Sequence, residues 1–185
     1  MREFFYSSEQ RNVSKQIAAF LQGALKGAIP VIVCIGTDAV IGDCLGPITG
    51  SIVSSINPTA FVYGSLENTV TAKDVLPLTS FLKKVHGNEK ILVIDAAVGD
   101  SEDVGKIRID DIPIKPGLGA KKDLPALGDV SIIYVAAEKD DKRIFSDEKT
   151  VRLSNVYGAA KAIAEGISEY MEKVENQTII GTVSF

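Results

Sequence analysis

The chain has 185 residues, 45% of them apolar and 24% charged, which is an ordinary composition for a globular domain with its own core and excludes a disordered chain. The formal net charge of −4 gives no reason to expect nucleic acid or membrane as a partner, no stretch is long enough to span a membrane, and the first residues, MREFFYSSEQ, lack the apolar core of a signal peptide. Two cysteines are too few for a disulfide framework, so we predict a single domain, 1–185, in a reducing, cytoplasmic compartment.

The first third of the chain alternates helical and strand patterns. Apolar residues at helical spacing predict a helix over residues 12–25. Residues 31–35, VIVCI, form an apolar β-branched run that is typical of a buried strand. A polar loop over residues 36–43 follows, and a second helical pattern begins at Leu45, with Pro47 in its first turn, where proline is well tolerated.

The middle of the chain repeats this order. Residues 60–63 predict a short strand, and Thr71 with Asp74 resembles a capping box before a helix whose apolar face runs to Val85. Residues 90–95, KILVID, predict a second buried strand that ends in an acid. Strand and helix therefore alternate as they do in parallel α/β sheets.

The last part of the chain supplies the remaining elements. Residues 106–110 predict a half-exposed strand, residues 113–128 are rich in turns, and residues 129–137 predict a third buried strand. Residues 150–174 predict the longest helix, and residues 178–183 a terminal strand. The whole pattern predicts an α/β fold, a three-layer α/β/α sandwich around a mostly parallel sheet.

Two acids follow two predicted neighbouring strands. Asp43 lies in the loop after the first buried strand, and Asp95 ends the second. In a parallel sheet the carboxyl ends of such strands meet at one edge, where catalytic groups collect. A carboxylate pair can activate water with one group as acid and the other as base, or it can hold a divalent cation. The alternative is that Asp43 caps the following helix and Asp95 is a solvated acid.

Three motifs resemble the germination-protease and hydrogenase-maturation-protease superfamily. They are GTDAVIGDCLGP at 36–47, VIDAAVG at 93–99, and PGLGAKK at 116–122. Their order and separation agree with the superfamily, as does the position of the second acid. The lead-in LPALGD at 124–129 adds a resemblance to a smaller family, the YyaC-type sporulation proteins, which are regarded as candidate spore proteases. This resemblance covers residues 30–165 and implies a phosphorylase/hydrolase-like fold of the hydrogenase maturation protease type.

The resemblance also implies the roles of particular residues. In the germination protease, the two acids that match Asp43 and Asp95 are implicated in peptide-bond hydrolysis. The glycine-rich loop at 116–119 and its lysines resemble a segment that can present N–H groups and positive charge to an oxyanion or an acidic peptide. The candidate substrate-binding residues are Gly36, Thr37, Asp38, Gly117, Gly119 and Lys121.

A metal and a thiol nucleophile are not expected. Hydrogenase maturation proteases bind metal with a histidine downstream of the second acid, but the single histidine, His86, precedes Asp95. We therefore expect neither a metal nor another cofactor, and we interpret His86 as a helix C-terminal residue. Cys44 is expected to be a small packing residue, because no base is predicted beside it.

Three functions remain open. The first is a sporulation-associated peptidase that acts on a peptide or small spore protein through Asp43 and Asp95. The second is an inactive sporulation protein of the same fold that binds a peptide partner at the loop edge. The third, a metal-dependent maturation endopeptidase, lacks the downstream histidine. A location in the forespore or spore interior and assembly into a homo-oligomer are compatible with the first two.

Overall fold

The structure, a computed structural model, describes residues 3–7, 12–115, 126–139 and 151–182. Short 3-10 helices occupy Ile41–Cys44 and Ser101–Asp103. No helix in these ranges is both long enough and apolar enough to cross a bilayer. The strands and helices in chain order are β1 (Glu3–Ser7), α1 (Val13–Leu25), β2 (Val31–Cys34), α2 (Leu45–Ile56), β3 (Val62–Tyr63), α3 (Val75–Val85), β4 (Ile91–Gly99), β5 (Lys106–Asp110), β6 (Val130–Glu138) and α4 (Leu153–Thr182).

The strands form one mixed sheet in the order β1-β5-β6-β4-β2-β3. The four strands from β6 to β3 run parallel, whereas β5 is antiparallel to both of its neighbours. The inner strands are apolar over most of their length because helices cover both faces of the sheet, and the end of β4 after Ile94 is only partly buried. The predicted α/β class with helices around a central sheet is confirmed.

Helices α1, α2 and α4 cover one face of the sheet, and α3 covers the other. Because side chains alternate along a strand, Ile32 and Ile94 join the core under the three helices, while Val33 and Val93 join the core under α3. This layering holds β2 and β4 side by side, with Cys34 paired with Ile94 at the end of β2. The ends of these two strands define the site described below.

Three details of the sequence interpretation need correction. Strand β4 does not end at Asp95, because the small residues after it continue to pair with β6 as far as Gly99. The predicted terminal strand at 178–183 is wrong, since α4 runs through Thr182 and extending an existing helix adds a hydrogen bond per residue without needing a partner strand. Strand β1, Glu3–Ser7, was not predicted, because its pairing with β5 is a tertiary contact.

Candidate functional site

The loop between β2 and α2 begins where the chain leaves the sheet. The Ile35 N–H still donates to the C=O of Ile94 on β4 (2.8 Å), and the Gly36 N–H donates on the opposite side to Val70 (2.8 Å), which forms an isolated parallel bridge with Ile35. The chain then returns, and the Thr37 N–H donates to the C=O of Asp43 (3.2 Å). This contact closes the loop and brings Asp43 back to the end of β2.

Two glycines make this closure possible. Gly36 has a φ of 148°, and a Cβ there would lie 2.1 Å from the C=O oxygen of Asp43. A Cβ on Gly46 would lie 2.0 Å from the C=O oxygen of Ile35. Both distances are far below van der Waals contact, so any side chain would push the start of α2 away from β2. The glycines of the loop motif therefore fix the position of Asp43.

Asp95 lies in β4, one residue beyond the last β2 pair. Cys34 is paired with Ile94, so Asp95 is the first residue of β4 whose neighbouring β2 residue has left the strand. Its side chain is half-buried, and its Oδ1 accepts a hydrogen bond from the Ala96 N–H (2.9 Å). The acid therefore stands at a step in the sheet rather than at the end of its own strand.

The two carboxyl groups are close enough to interact. Burial raises the pKa of Asp95 to about 7, against the opposing effect of the Ala96 hydrogen bond, and the negative charge of Asp43 raises it further. Loss of hydration also raises the pKa of Asp43, although the residue keeps an exposed surface. The structure thus brings together the two acids that the sequence placed on neighbouring strands.

The alternative interpretation, in which Asp43 caps the following helix and Asp95 is a solvated strand-end acid, does not match the structure. Neither the 3-10 helix that contains Asp43 nor the following α2 has a side-chain hydrogen bond at its cap. Asp95 is neither at a strand end nor fully solvated. Asp43 therefore does not act as a helix cap, and Asp95 is not a solvated acid at a strand end.

Cys44 packs in the core beside the pair. Its side chain is buried, and its S–H donates to the backbone C=O groups of Asp38 (3.6 Å) and Val40 (3.4 Å). Burial, with smaller contributions from the negative charges of Asp38 and Asp43, raises the pKa of the Cys44 thiol. A thiol in this state is poorly nucleophilic, which agrees with its interpretation as a packing residue.

The candidate substrate-binding residues are only partly described. Gly36 is buried behind the closure, whereas Thr37 is half-buried and Asp38 is exposed at the loop surface. The Thr37 hydroxyl accepts a hydrogen bond from the Ala39 N–H (3.3 Å), which orders the turn. The candidate residues Gly117, Gly119 and Lys121 lie outside the described residues, so their role stays a prediction.

His86 is the C-cap residue of α3, at the C-terminal end of a helix as predicted, and its side chain is bonded away from the acids. Its backbone N–H donates to Leu82, its Nε2 is hydrogen-bonded to the Tyr63 hydroxyl (2.7 Å), and its Nδ1 to Glu89 (2.6 Å). In the ranges that the structure covers, no three His, Cys, Asp or Glu side chains converge into a metal site. The chemistry proposed below is therefore written for the two carboxyl groups alone.

One feature beside the acids was missed in the sequence, namely the continuation of β4 after Asp95. The residues from Ala96 to Gly99 stay paired with β6 although β2 has ended. The apolar run continues through these residues as AAVG, which was the available signal. The end of β2 opposite Ile94 could not be read from the β4 sequence, so the step was not expected.

Two comparisons with known proteins show the family of the chain. A family model described as "Protein of unknown function (DUF1256)" matches residues 5–166. A relative named "Uncharacterized protein YyaC" from Bacillus subtilis (strain 168) is 36% identical over 168 residues, which cover 89% of this chain and 82% of the relative. Both matches include the loop with Asp43 and the strand with Asp95. The chain therefore belongs to the DUF1256 family.

Proposed function

We propose that the protein is a peptidase that hydrolyses peptide bonds with Asp43 and Asp95. The observation that carries the proposal is the half-buried Asp95 carboxyl, whose pKa of about 7 lets it hold a proton near neutral pH beside a second carboxyl group. Pairs of titratable groups with different environments are typical of acid–base catalysis. The exposed Asp43 is the partner with better access to solvent.

The two acids take complementary roles in this proposal. Ionised Asp43 removes a proton from a water molecule, whose oxygen attacks the carbonyl carbon of the peptide bond. Protonated Asp95 donates its proton to the carbonyl oxygen as the tetrahedral intermediate forms. The proton on Asp43 then passes to the leaving nitrogen as the C–N bond breaks. Asp95 takes a proton back from a hydroxyl group of the intermediate. One water molecule is consumed, and both carboxyl groups return to their starting states.

The resemblance described above supports a particular biological role, substrate and location. The loop and strand motifs resemble those of germination proteases and of the hydrogenase maturation protease fold, where the matching acids serve peptide hydrolysis or metal binding. We therefore propose a role in sporulation, a peptide or small spore protein as the substrate, and a location in the forespore or spore interior. The family membership and the name of the relative say nothing of these points.

The test compares the wild type with single and double variants. Asp43→Asn and Asp95→Asn keep the side-chain shape but remove the acid, and the exposed Glu102→Gln removes one charge outside the pair. Each protein is incubated with a spore-protein extract, and new peptide ends are identified by mass spectrometry. We expect new ends with the wild type and Glu102→Gln, and a rate about 10²- to 10⁴-fold lower with either Asp variant. Equal cleavage by the double variant would reject the proposal.

The second candidate function is peptide binding without cleavage. It is favoured by the Ala96 hydrogen bond, which already occupies Asp95 and favours its ionised form. In this case the same fold would bind a sporulation partner at the loop edge. The double variant would then retain its partner and its role in the cell, whereas a peptidase would lose its role while the fold remained intact.

A further inference from the structure

The step beside Asp95 leaves part of β4 with a neighbour on one side only. Strand β2 ends at Cys34, opposite Ile94, while the pairing of β4 with β6 continues to Gly99 and Glu138. An isolated bridge between Ile35 and Val70 continues the strand direction by one residue, and the chain then leaves it at Thr37, whose N–H donates to Asp43 in the loop and not to β4. Within the described residues, no strand replaces β2 along the end of β4.

The space beside β4 beyond the end of β2 is here called the gap. Backbone groups of successive residues point to opposite sides of a strand, and this alternation shows which groups of β4 face the gap. The Ile94 C=O faces β2, where it accepts the Ile35 N–H, and the Gly99 C=O faces the opposite side, where it accepts the Lys139 N–H (2.7 Å). Between them, Ala96 and Val98 face the gap, because successive residues of a strand point their backbone groups to opposite sides.

These backbone groups are mostly unpaired. The Ala96 N–H is bonded to the Asp95 carboxyl. In the part of the chain that the structure describes, no hydrogen bond reaches the Ala96 C=O, the Val98 N–H or the Val98 C=O. Val98 is 40% exposed and Ala96 is half-buried, so this part of β4 lies at the protein surface.

We propose that residues 96–98, here called the β4 edge, bind an extended polypeptide segment as an added strand in the path that β2 leaves. This inference rests on the proposed function and names its substrate class, which is an unfolded or extended segment rather than a folded surface. Up to three backbone hydrogen bonds can form between such a segment and Ala96 and Val98. Strand addition of this kind is a common mode of peptide recognition.

The position of the β4 edge matches the position of the acids. Strand residues rise by about 3.3 Å, so Val98 lies about 10 Å along β4 from Asp95. A segment paired with Val98 therefore places its next residues beside Asp95 and Asp43. Backbone bonding tolerates many sequences, while the negative charges of Asp38 and Asp43 disfavour acidic residues at the cleaved bond. The expected substrate is an extended, non-acidic segment.

Strand β3 offers a matched control on another edge. The Ile32 N–H donates to the Phe61 C=O, so Val62 points its own N–H and C=O away from β2. Proline at Val62 or at Val98 removes one outward N–H without touching a hydrogen bond of the sheet, and edge positions tolerate proline for this reason. Only the change at Val98 alters the edge beside the acids.

The binding test uses the Asp43→Asn/Asp95→Asn double variant, so that bound segments are not cleaved. A library of random peptides of about ten residues, a length that spans a strand-addition site, is passed over this protein, and the retained peptides are identified by mass spectrometry. We expect retention to fall about tenfold when Val98→Pro is added, because at least one backbone hydrogen bond is lost, and to stay unchanged with Val62→Pro. Circular dichroism checks the fold of each variant.

A second measurement keeps the test decisive if Val98→Pro fails to fold. Single N-methyl groups are introduced along a retained peptide, and binding to the double variant is measured. A segment added as a strand loses binding at alternate positions only, because every second N–H faces the β4 edge. Equal tolerance at every position, retention that is unaffected by a folded Val98→Pro, or no retained peptide at all would overturn the inference.

Failure of this inference differs from failure of the proposed function. If the wild type cleaves a peptide and Val98→Pro leaves KM unchanged, hydrolysis stands and the β4 edge does not bind the substrate. If the double variant retains peptides in a manner that depends on Val98 while the wild type produces no new ends, the β4 edge binds segments and the proposed hydrolysis is wrong.

Discussion

Two groups of titratable side chains are built in opposite ways. In the His86 cluster, which consists of Tyr63, His86 and Glu89, both ring nitrogens of a buried histidine have partners, at 2.7 Å and 2.6 Å. In the acid pair, Asp95 faces the like charge of Asp43 and accepts a hydrogen bond from the adjacent Ala96 N–H. A satisfied polar cluster favours the folded state, whereas burying one carboxyl group beside another opposes it. A loss of folding stability of this kind is typical of functional sites.

The largest expected effect is a gain in stability on removing Asp95. Its pKa is about 7 in the folded protein but about 3.9 in an unfolded chain, so the folded state holds a proton that the unfolded state releases. Stability therefore falls as pH rises between about 4 and 7, by at most about 4 kcal/mol. Asp95→Asn should raise the free energy of unfolding at pH 8, with no gain below pH 4, as measured by urea titration.

The control for this prediction is Glu102→Gln, which removes an exposed charge and should change stability little at either pH. An Asp95→Asn protein that is no more stable than the wild type at pH 8 would contradict the view that the acid pair opposes folding. The two regions would then be alike in their effect on stability.

The next effect in size is a loss of stability in the His86 cluster. His86→Ala removes a buried ring that contacts Phe61 at 4.9 Å between ring centroids and leaves the Tyr63 hydroxyl without this partner. We expect the free energy of unfolding to fall by about 2–3 kcal/mol, measured by urea titration. Cleavage by the folded protein should be unchanged.

Tyr63→Phe is the matched smaller change, since it removes one hydroxyl and keeps the ring. Its expected cost is about 1 kcal/mol. If His86→Ala lost activity while remaining folded, the distinction between a structural cluster and a functional pair would be wrong.

The third effect is the pH dependence of cleavage. If Asp95 donates a proton, its protonated fraction falls above its pKa of about 7, and kcat should drop about tenfold for each further pH unit, which is about 1.4 kcal/mol. Initial rates between pH 5 and pH 9, with the fold checked at each pH, give the profile. A rate that rises through pH 7 would instead make Asp95 the base and Asp43 the acid.

The smallest effect is expected at Cys44, which lies beside the acid pair but belongs to the core. Cys44→Ala should cost about 1 kcal/mol in unfolding free energy through lost packing and leave the cleavage rate unchanged. Cys34→Ala, in the buried strand β2, is the matched control for packing. Loss of cleavage in Cys44→Ala alone would show that the thiol takes part in the reaction.

Much of the fold follows from local patterns in the sequence. The helices at Val13–Leu25 and Leu45–Ile56 and the strand at Val31–Cys34 were predicted to within a few residues, because their apolar periodicity reflects the faces that they bury. The terminal helix was predicted too short, since β-branched residues near its end favour a strand only where a partner strand exists. Which strands pair depends on the tertiary structure and not on the local sequence, which also explains why β1 was not predicted.

The candidate site likewise combines features that local sequence predicts with features that depend on tertiary contacts. The positions of Asp43 and Asp95 after neighbouring buried strands were enough to predict that the carboxyl groups approach each other. The step between β2 and β4 was not predictable, because it depends on where one strand stops relative to another. The pKa of Asp95 follows from this step and from burial, so its value of about 7 required the structure.

The glycine closure of the loop determines where this protein can be modified. Gly36 and Gly46 have no space for a side chain, whereas Ala39 and Val40 between them are exposed. A dye attached at either exposed position would lie in the same short loop as Asp43 without entering the core. This loop tip is therefore suited to a fluorescent reporter of ligand docking, and it is where insertions or altered residues could change ligand preference while the two acids stay in place.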